Sequence, residues 1–168
     1  DLIKHMLDYL RVPDFPEMMI IGNTEKKDQD EAIRNGASVW HSDGTYIPES
    51  TTITMLHAKK TPVSGGETLV ADLVKAYEDL DENLKKEIND LEALHFYGKA
   101  EFDDDEHLPA PIRTDKQEKT NPICKKPIVL KHPFSGKKSL YGITHSPFKI
   151  LGKTDSETKT ILKKLKDF

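Results

Sequence analysis

Apolar residues recur at helical spacing near the start of the chain, at Ile3, Met6, Leu7 and Leu10. This predicts an amphipathic helix that Pro13 and Pro16 bring to an end. A short apolar strand is expected at Met18 to Ile21, closed by Gly22-Asn23, and the polar stretch Thr24 to Gly36 has no period and reads as a loop. From Thr51 to Ala58, threonine and isoleucine dominate and apolar positions nearly alternate, the pattern of a strand with one buried face. Pro62 and Gly65-Gly66 make Lys59 to Gly66 a turn, after which Glu67 to Ala71 resumes as a strand. Asp72 is placed to cap a helix whose apolar face is Leu73, Ala76, Tyr77 and Leu80. After Asp81 the set Leu84, Ile88 and Leu91 repeats that spacing, so two consecutive helices are expected.

Gly98 to Lys126 (98–126) is acidic, contains prolines and has no period. An excursion of this length in a compact domain is a candidate lid. Strands return at Ile128 to Leu130 and Ser139 to Tyr141, on either side of the turn Ser135-Gly136. The last element opens with a capping box, Thr154 with Glu157 three residues on, followed by Ile161, Leu162 and Leu165. No internal repeat or low-complexity tract interrupts the series.

Composition narrows the class. The 168 residues, 36% hydrophobic and 32% charged, suit one globular domain with a charged surface. A domain of about 150 residues hides roughly 70% of the surface its unfolded chain exposes, enough for a sizeable core. The net charge of −4 arises from 25 basic and 29 acidic residues that are interspersed, apart from the acidic run Glu101 to Glu106. No basic stripe interleaved with aromatics stands out, which argues against a nucleic-acid partner. Cys124 is the single cysteine, so neither an internal disulfide nor a cysteine-based zinc site is available, and a reducing compartment is favoured. With no apolar run of membrane length and no signal-peptide core, the expectation is a cytoplasmic protein without a membrane partner. The pattern leaves the oligomeric state open.

Candidate chemistry centres on Trp40-His41-Ser42-Asp43-Gly44-Thr45. Imidazole and carboxylate are good ligands for first-row metals, and on a strand residues i and i+2 share a face, so His41 and Asp43 could converge on one ion. By spacing alone, a surface histidine beside a turn aspartate is the better reading.

Further motifs accompany the pair: Gly65-Gly66-Glu67-Thr68, Ala76-Tyr77 with Leu80, and His132-Pro133 with Gly136 and Leu140-Tyr141. In this order and spacing, together with Trp40-His41-Ser42-Asp43, the chain resembles the TauD/TfdA family of iron(II)- and 2-oxoglutarate-dependent dioxygenases over almost its whole length. The resemblance implies a mainly β fold with flanking helices, a double-stranded β-helix or cupin-like jelly roll. It implies that His41 and Asp43 bind Fe(II), and that Thr68 hydrogen-bonds a carboxylate of 2-oxoglutarate. The implied reaction consumes 2-oxoglutarate and O2, releases succinate and CO2, and hydroxylates a small organic molecule. Related halogenases have a small residue in place of the carboxylate, so Asp43 implies hydroxylation and not halogenation.

Other residues carry weaker signals. His145 stands where some family members acting on carboxylate substrates have a histidine facing the substrate, although a loop histidine bonded to backbone fits the residues as well. Tyr46 is a candidate for lining the pocket or for packing. His95 and His132 match family positions of structural role. Ala37 lies where taurine-type members tend to have an asparagine, which disfavours a taurine-like sulfonate.

The family pattern continues with a second iron-binding histidine and an arginine for the distal carboxylate of 2-oxoglutarate, and neither is found before Phe168. The start is also late by the same pattern. The expectation is an incomplete jelly roll, truncated at both ends, with two of three metal ligands and poor activity on its own. The rival expectation is a non-catalytic jelly-roll binding or scaffolding protein.

Overall fold

The computed structural model describes residues 11–12, 14–20, 40–96, 122–144 and 146–168. The expected helix at the N-terminus lies outside them, as do Ala37 and His145. Seven strands and three helices occur among the described residues.

β1 (Arg11–Val12) and β2 (Phe15–Met19) form an antiparallel two-stranded ladder. The strand begins earlier than the apolar run Met18 to Ile21 suggests and includes Pro16, which has no N–H to donate; a two-stranded ladder has only edges, where proline is tolerated.

Residues 51–72 contain no strand, against the expectation for Thr51 to Ala58 and Glu67 to Ala71. A strand needs a neighbour for its N–H and C=O groups, and none of the described strands pairs with this segment. Its apolar side chains stand in solvent: Ile53 is 70% exposed, Met55 89% and Val70 91%.

Local capping explains the helices. α1 (Leu73–Asp79) begins where the Asp72 carboxylate accepts from the backbone N–H groups of Val74 and Lys75. α2 (Glu82–Ile88) begins where Asp81 accepts from Asn83 and Leu84. Each such cap contributes about 1 kcal/mol. The capping box forms as expected at the head of α3 (Asp155–Asp167): Thr154 Oγ1 accepts from the Glu157 backbone, and Glu157 accepts from the Thr154 backbone.

Three strands escape the hydrophobic pattern. β3 (Glu92–His95) is the middle strand of an antiparallel sheet, with β4 (Cys124–Pro127) on one side and β7 (Pro147–Ile150) on the other. In β3 the inward residues are Ala93 and His95, and in β4 they are Cys124 and Lys126. A histidine and a lysine at core positions hide the alternation. The excursion predicted for 98–126 therefore stops short of Cys124; residues 97–121 are outside the described set.

β5 (Val129–Lys131) and β6 (Lys138–Leu140) form the expected hairpin. Its turn is held by His132, whose Nδ1 accepts from Ser135 N–H at 3.2 Å and whose carbonyl accepts from Gly136 N–H at 2.9 Å. α1 packs on β6 and α3 on β7. The core gathers Tyr77 and Leu80 of the α1 end, Ile88 of α2, Ala93, Leu140 and Ile150 of the sheets, Ile128 between β4 and β5, and Ile161, Leu162 and Leu165 of α3.

Candidate metal centre

The segment from Trp40 to Ser50 leaves extended backbone and folds into successive turns, in which Ile47 N–H donates to Gly44 O at 3.1 Å and Ser50 N–H to Ile47 O at 3.0 Å. Gly44 makes the first turn possible. Its φ is +64°, and a Cβ there would lie 2.0 Å from Thr51 Oγ1, so both the left-handed backbone and the close return of Thr51 require glycine. The turn carries the chain back past its own start. Thr54 then reaches Asp43 and donates Oγ1–H to Oδ2 at 2.7 Å.

The other carboxylate oxygen faces the histidine: His41 Nε2 lies 3.3 Å from Asp43 Oδ1. Two ligand atoms about 2.1 Å from an ion and at right angles to each other are about 3 Å apart, so this pair fits neighbouring positions on one first-row ion. The side chains are 37% and 47% exposed, open to an ion arriving from solvent. The His41 ring beside it holds the Asp43 carboxyl below the usual carboxylate range; partial burial opposes this and the Thr54 hydroxyl adds to it. A deprotonated carboxylate is the form that ligates. Imidazole nitrogen with carboxylate oxygen is a donor set that suits iron(II). Among the described residues no third histidine, cysteine or carboxylate joins them.

Convergence of His41 and Asp43 thus arises at the entry to a turn, where the sequence suggested the shared face of a strand. Thr68 is exposed in the strandless segment 51–72, and no hydrogen bond among the described residues links it to the pair. Tyr46 is half-buried, and its backbone carbonyl accepts from Cys124 Sγ at 3.1 Å.

Beneath the loop lies a buried polar floor. Thr45 and His95 are both fully buried, and Thr45 Oγ1 and both ring nitrogens of His95 have no hydrogen-bond partner among the described residues. Gly142, at φ +54°, lets them approach: a Cβ there would be 2.7 Å from His95 Cε1 and 3.2 Å from Thr45 Cγ2. Burial, with a smaller contribution from the Lys126 charge, pushes the His95 imidazole down to about 4, so it is neutral near pH 7.

Sequence reading did not single out Thr54, Thr45, Cys124 or Lys126 for this region. Thr54 carries a faint signal, a hydroxyl in a threonine-rich run close after the candidate ligand Asp43. Lys126 carries none, since a lysine followed by proline reads as surface.

An imidazole and a carboxylate so placed make this part of the molecule a candidate site for a first-row metal. Residues 2–168 match the model of the taurine catabolism dioxygenase TauD, TfdA family, and the chain belongs to that family. It is 30% identical over 158 residues to the alpha-ketoglutarate-dependent 2,4-dichlorophenoxyacetate dioxygenase of Burkholderia sp. strain RASC, covering 94% of this chain and 52% of that protein. It is also 30% identical over 147 residues to the (S)-phenoxypropionate/alpha-ketoglutarate-dioxygenase of Sphingobium herbicidovorans, covering 85% of this chain and 51% of that protein. Among solved structures it is similar to AAD-2 in complex with Mn(II) and N-oxalylglycine, with a TM-score of 0.64, 27% identity, and coverage of 79% of this chain and 46% of that one. The chain spans about half the length of the curated relatives it matches.

Proposed function

We propose that His41 and Asp43 are two of the three protein ligands of an iron(II) centre in a 2-oxoglutarate-dependent oxygenase that hydroxylates a small organic molecule. The observation that carries this reading is the 3.3 Å approach of His41 Nε2 to Asp43 Oδ1, with Oδ2 tied back by Thr54. When bound, iron(II) with 2-oxoglutarate and O2 would couple decarboxylation of the cosubstrate to succinate and CO2 with insertion of one oxygen atom into a substrate C–H bond.

The chain's own residues prepare this chemistry. His41 presents a ring nitrogen and Asp43 a carboxylate oxygen. Thr54 keeps the carboxylate from rotating, the kind of outer-shell hydrogen bond that orients metal ligands. Thr68 is the proposed donor to a carboxylate of 2-oxoglutarate, and its branched side chain has restricted χ1 freedom. Because position 43 is a carboxylate and not a small residue, the reaction proposed is hydroxylation. Tyr46 and His145 are proposed on the substrate side, the 98–126 excursion, up to where β4 begins, as a lid, and a cupin-like jelly roll as the frame. The alpha-ketoglutarate dependence named for the relatives supports the cosubstrate, and the aryloxy acids in their names are the first substrates to try.

Anaerobic addition of Fe(II) and 2-oxoglutarate to the protein tests the reading. A weak visible charge-transfer band is expected, and His41→Ala or Asp43→Ala should abolish it. Absence of the band, with no metal-dependent shift in melting temperature, would overturn the oxygenase reading in favour of a non-catalytic jelly-roll protein.

A further inference from the structure

The metal-binding loop is gripped from below by one strand. Inward residues of β4 meet it at two-residue intervals: Cys124 Sγ–H points to Tyr46 O at 3.1 Å, and the Lys126 ammonium donates to Pro48 O at 2.7 Å and to Ser50 Oγ at 2.6 Å. Lys126 is only 7% exposed. Its charge is unusual in that position, because a buried ammonium is costly unless well hydrogen-bonded; burial pushes its pKa down from the ordinary lysine value. What it holds is also unusual. Ser50 has φ +59°, the left-handed region that residues other than glycine rarely occupy, and such a conformation persists where its surroundings over-determine it.

Ser50 is the point where the loop turns back. Immediately after it, Thr51 packs on Gly44, and Thr54 donates to Asp43. Fixing residues 48 and 50 therefore fixes where Thr54 arrives, and Thr54 fixes the Asp43 carboxylate. We propose that Lys126 is a positioning residue for the metal pair, a clamp on Pro48 and Ser50 that sets the return of the loop and so the orientation of Asp43 toward His41. This rests on the reading of His41 and Asp43 as metal ligands. The clamp itself does not, and the two can be tested apart.

Two measurements on the purified protein separate them. In metal-free protein, Lys126→Met keeps the length and apolar stem but removes the donors; amide exchange across 44–54 should rise about tenfold, as for a segment released to open locally, while exchange in β3 stays unchanged. In the second, Mn(II) affinity is followed by electron paramagnetic resonance. Lys126→Met should weaken binding about ten- to a hundredfold, the usual effect of removing an outer-shell support. Lys125→Met, which alters the exposed neighbour paired with Glu92, should bind as the parent does. If Lys126→Met fails to fold, Ser50→Ala removes one acceptor and should give a smaller change of the same kind in both measurements. Unchanged exchange in 44–54 would overturn the clamp. Faster exchange with unchanged, His41-dependent Mn(II) affinity would overturn its role toward the metal. A parent protein that binds no Mn(II) through His41 would overturn the metal reading, and the exchange data would still decide on the clamp.

Discussion

Thr54 donates its hydroxyl to Asp43 Oδ2 at 2.7 Å across a turn of eleven residues, while His41 Nε2 stands 3.3 Å from Oδ1. The two carboxylate oxygens thus have different surroundings: one is anchored by a hydroxyl and the other faces the imidazole, the side on which the proposed ion would bind. Thr54→Val is isosteric and removes only the donor. Mn(II) or Fe(II) affinity should fall about ten- to a hundredfold, and Thr54→Ser should restore most of it. Because the contact is exposed, the urea midpoint should barely move. Equal metal affinity in Thr54→Val and parent, by calorimetric titration, would remove Thr54 from the centre.

Gly44 is the hinge of that turn. Gly44→Ala places a left-handed backbone on an L-residue, costing about 1–2 kcal/mol, and drives Cβ against Thr51 Oγ1. The loop must shift, so metal affinity should fall further than in Thr54→Val, alongside a measurable loss of stability in urea.

Gly142 plays the corresponding part in the floor. A methyl group there meets the His95 ring at 2.7 Å, and the ring cannot easily retreat, because His95 belongs to the middle strand, paired with Cys124 of β4 and Pro147 of β7. Gly142→Ala should destabilise the fold by about 2–3 kcal/mol, combining backbone strain with overpacking. Reducing the opposing side chain in the double variant Gly142→Ala/His95→Ala should relieve the clash and recover part of the added loss, read as coupling between the two sites in urea melts.

His95 also makes stability depend on pH. Its folded pKa is about 4, below the unfolded value of about 6.5. Above about 6.5 both states are neutral and nothing is lost. As pH falls from there toward 4, the unfolded chain takes up a proton that the folded chain refuses, so stability declines by up to about 3 kcal/mol. The lowered carboxyls of Asp43, Glu82 and Glu157 act in the same direction but at lower pH, below their ordinary values near 4. In His95→Leu the loss between pH 6.5 and 4.5 should shrink, while the loss below 4.5 remains. Urea midpoints at three pH values distinguish the two windows; parallel profiles for parent and variant would contradict the assignment.

At α3, Thr154→Ala removes the hydroxyl that accepts from Glu157 N–H and should cost about 1 kcal/mol. Helix α3 supplies Ile161, Leu162 and Leu165 to the core, so the loss should appear in global unfolding and not only as fraying.

Where sequence and structure agree, the determining contacts are short in sequence. Asp72 caps α1 through residues two and three positions on, and Thr154 closes its box with Glu157. Such signals survive without tertiary context because the partner lies within one turn of helix. That His41 and Asp43 stand together was equally legible, since they are two positions apart and the surrounding motifs are local. Strands were harder. Thr51 to Ala58 alternates as a strand does, yet alternation specifies a face and not a neighbour, and no described strand pairs with it.

By itself, then, the sequence determined the caps, the hairpin and the family, and it singled out His41 and Asp43 as a candidate pair. The tertiary structure decided how those two side chains meet. Thr54 reaches Asp43 because Gly44 and Ser50 turn the chain, and the turn is held by Cys124 and Lys126 from 76 to 78 residues away. It also decided that His95 and Lys126 are interior. Polarity places them at the surface, whereas the register of β3 and β4 turns both inward. Long-range contacts of this kind depend on which strands pair, a relation that neither periodicity nor residue type encodes.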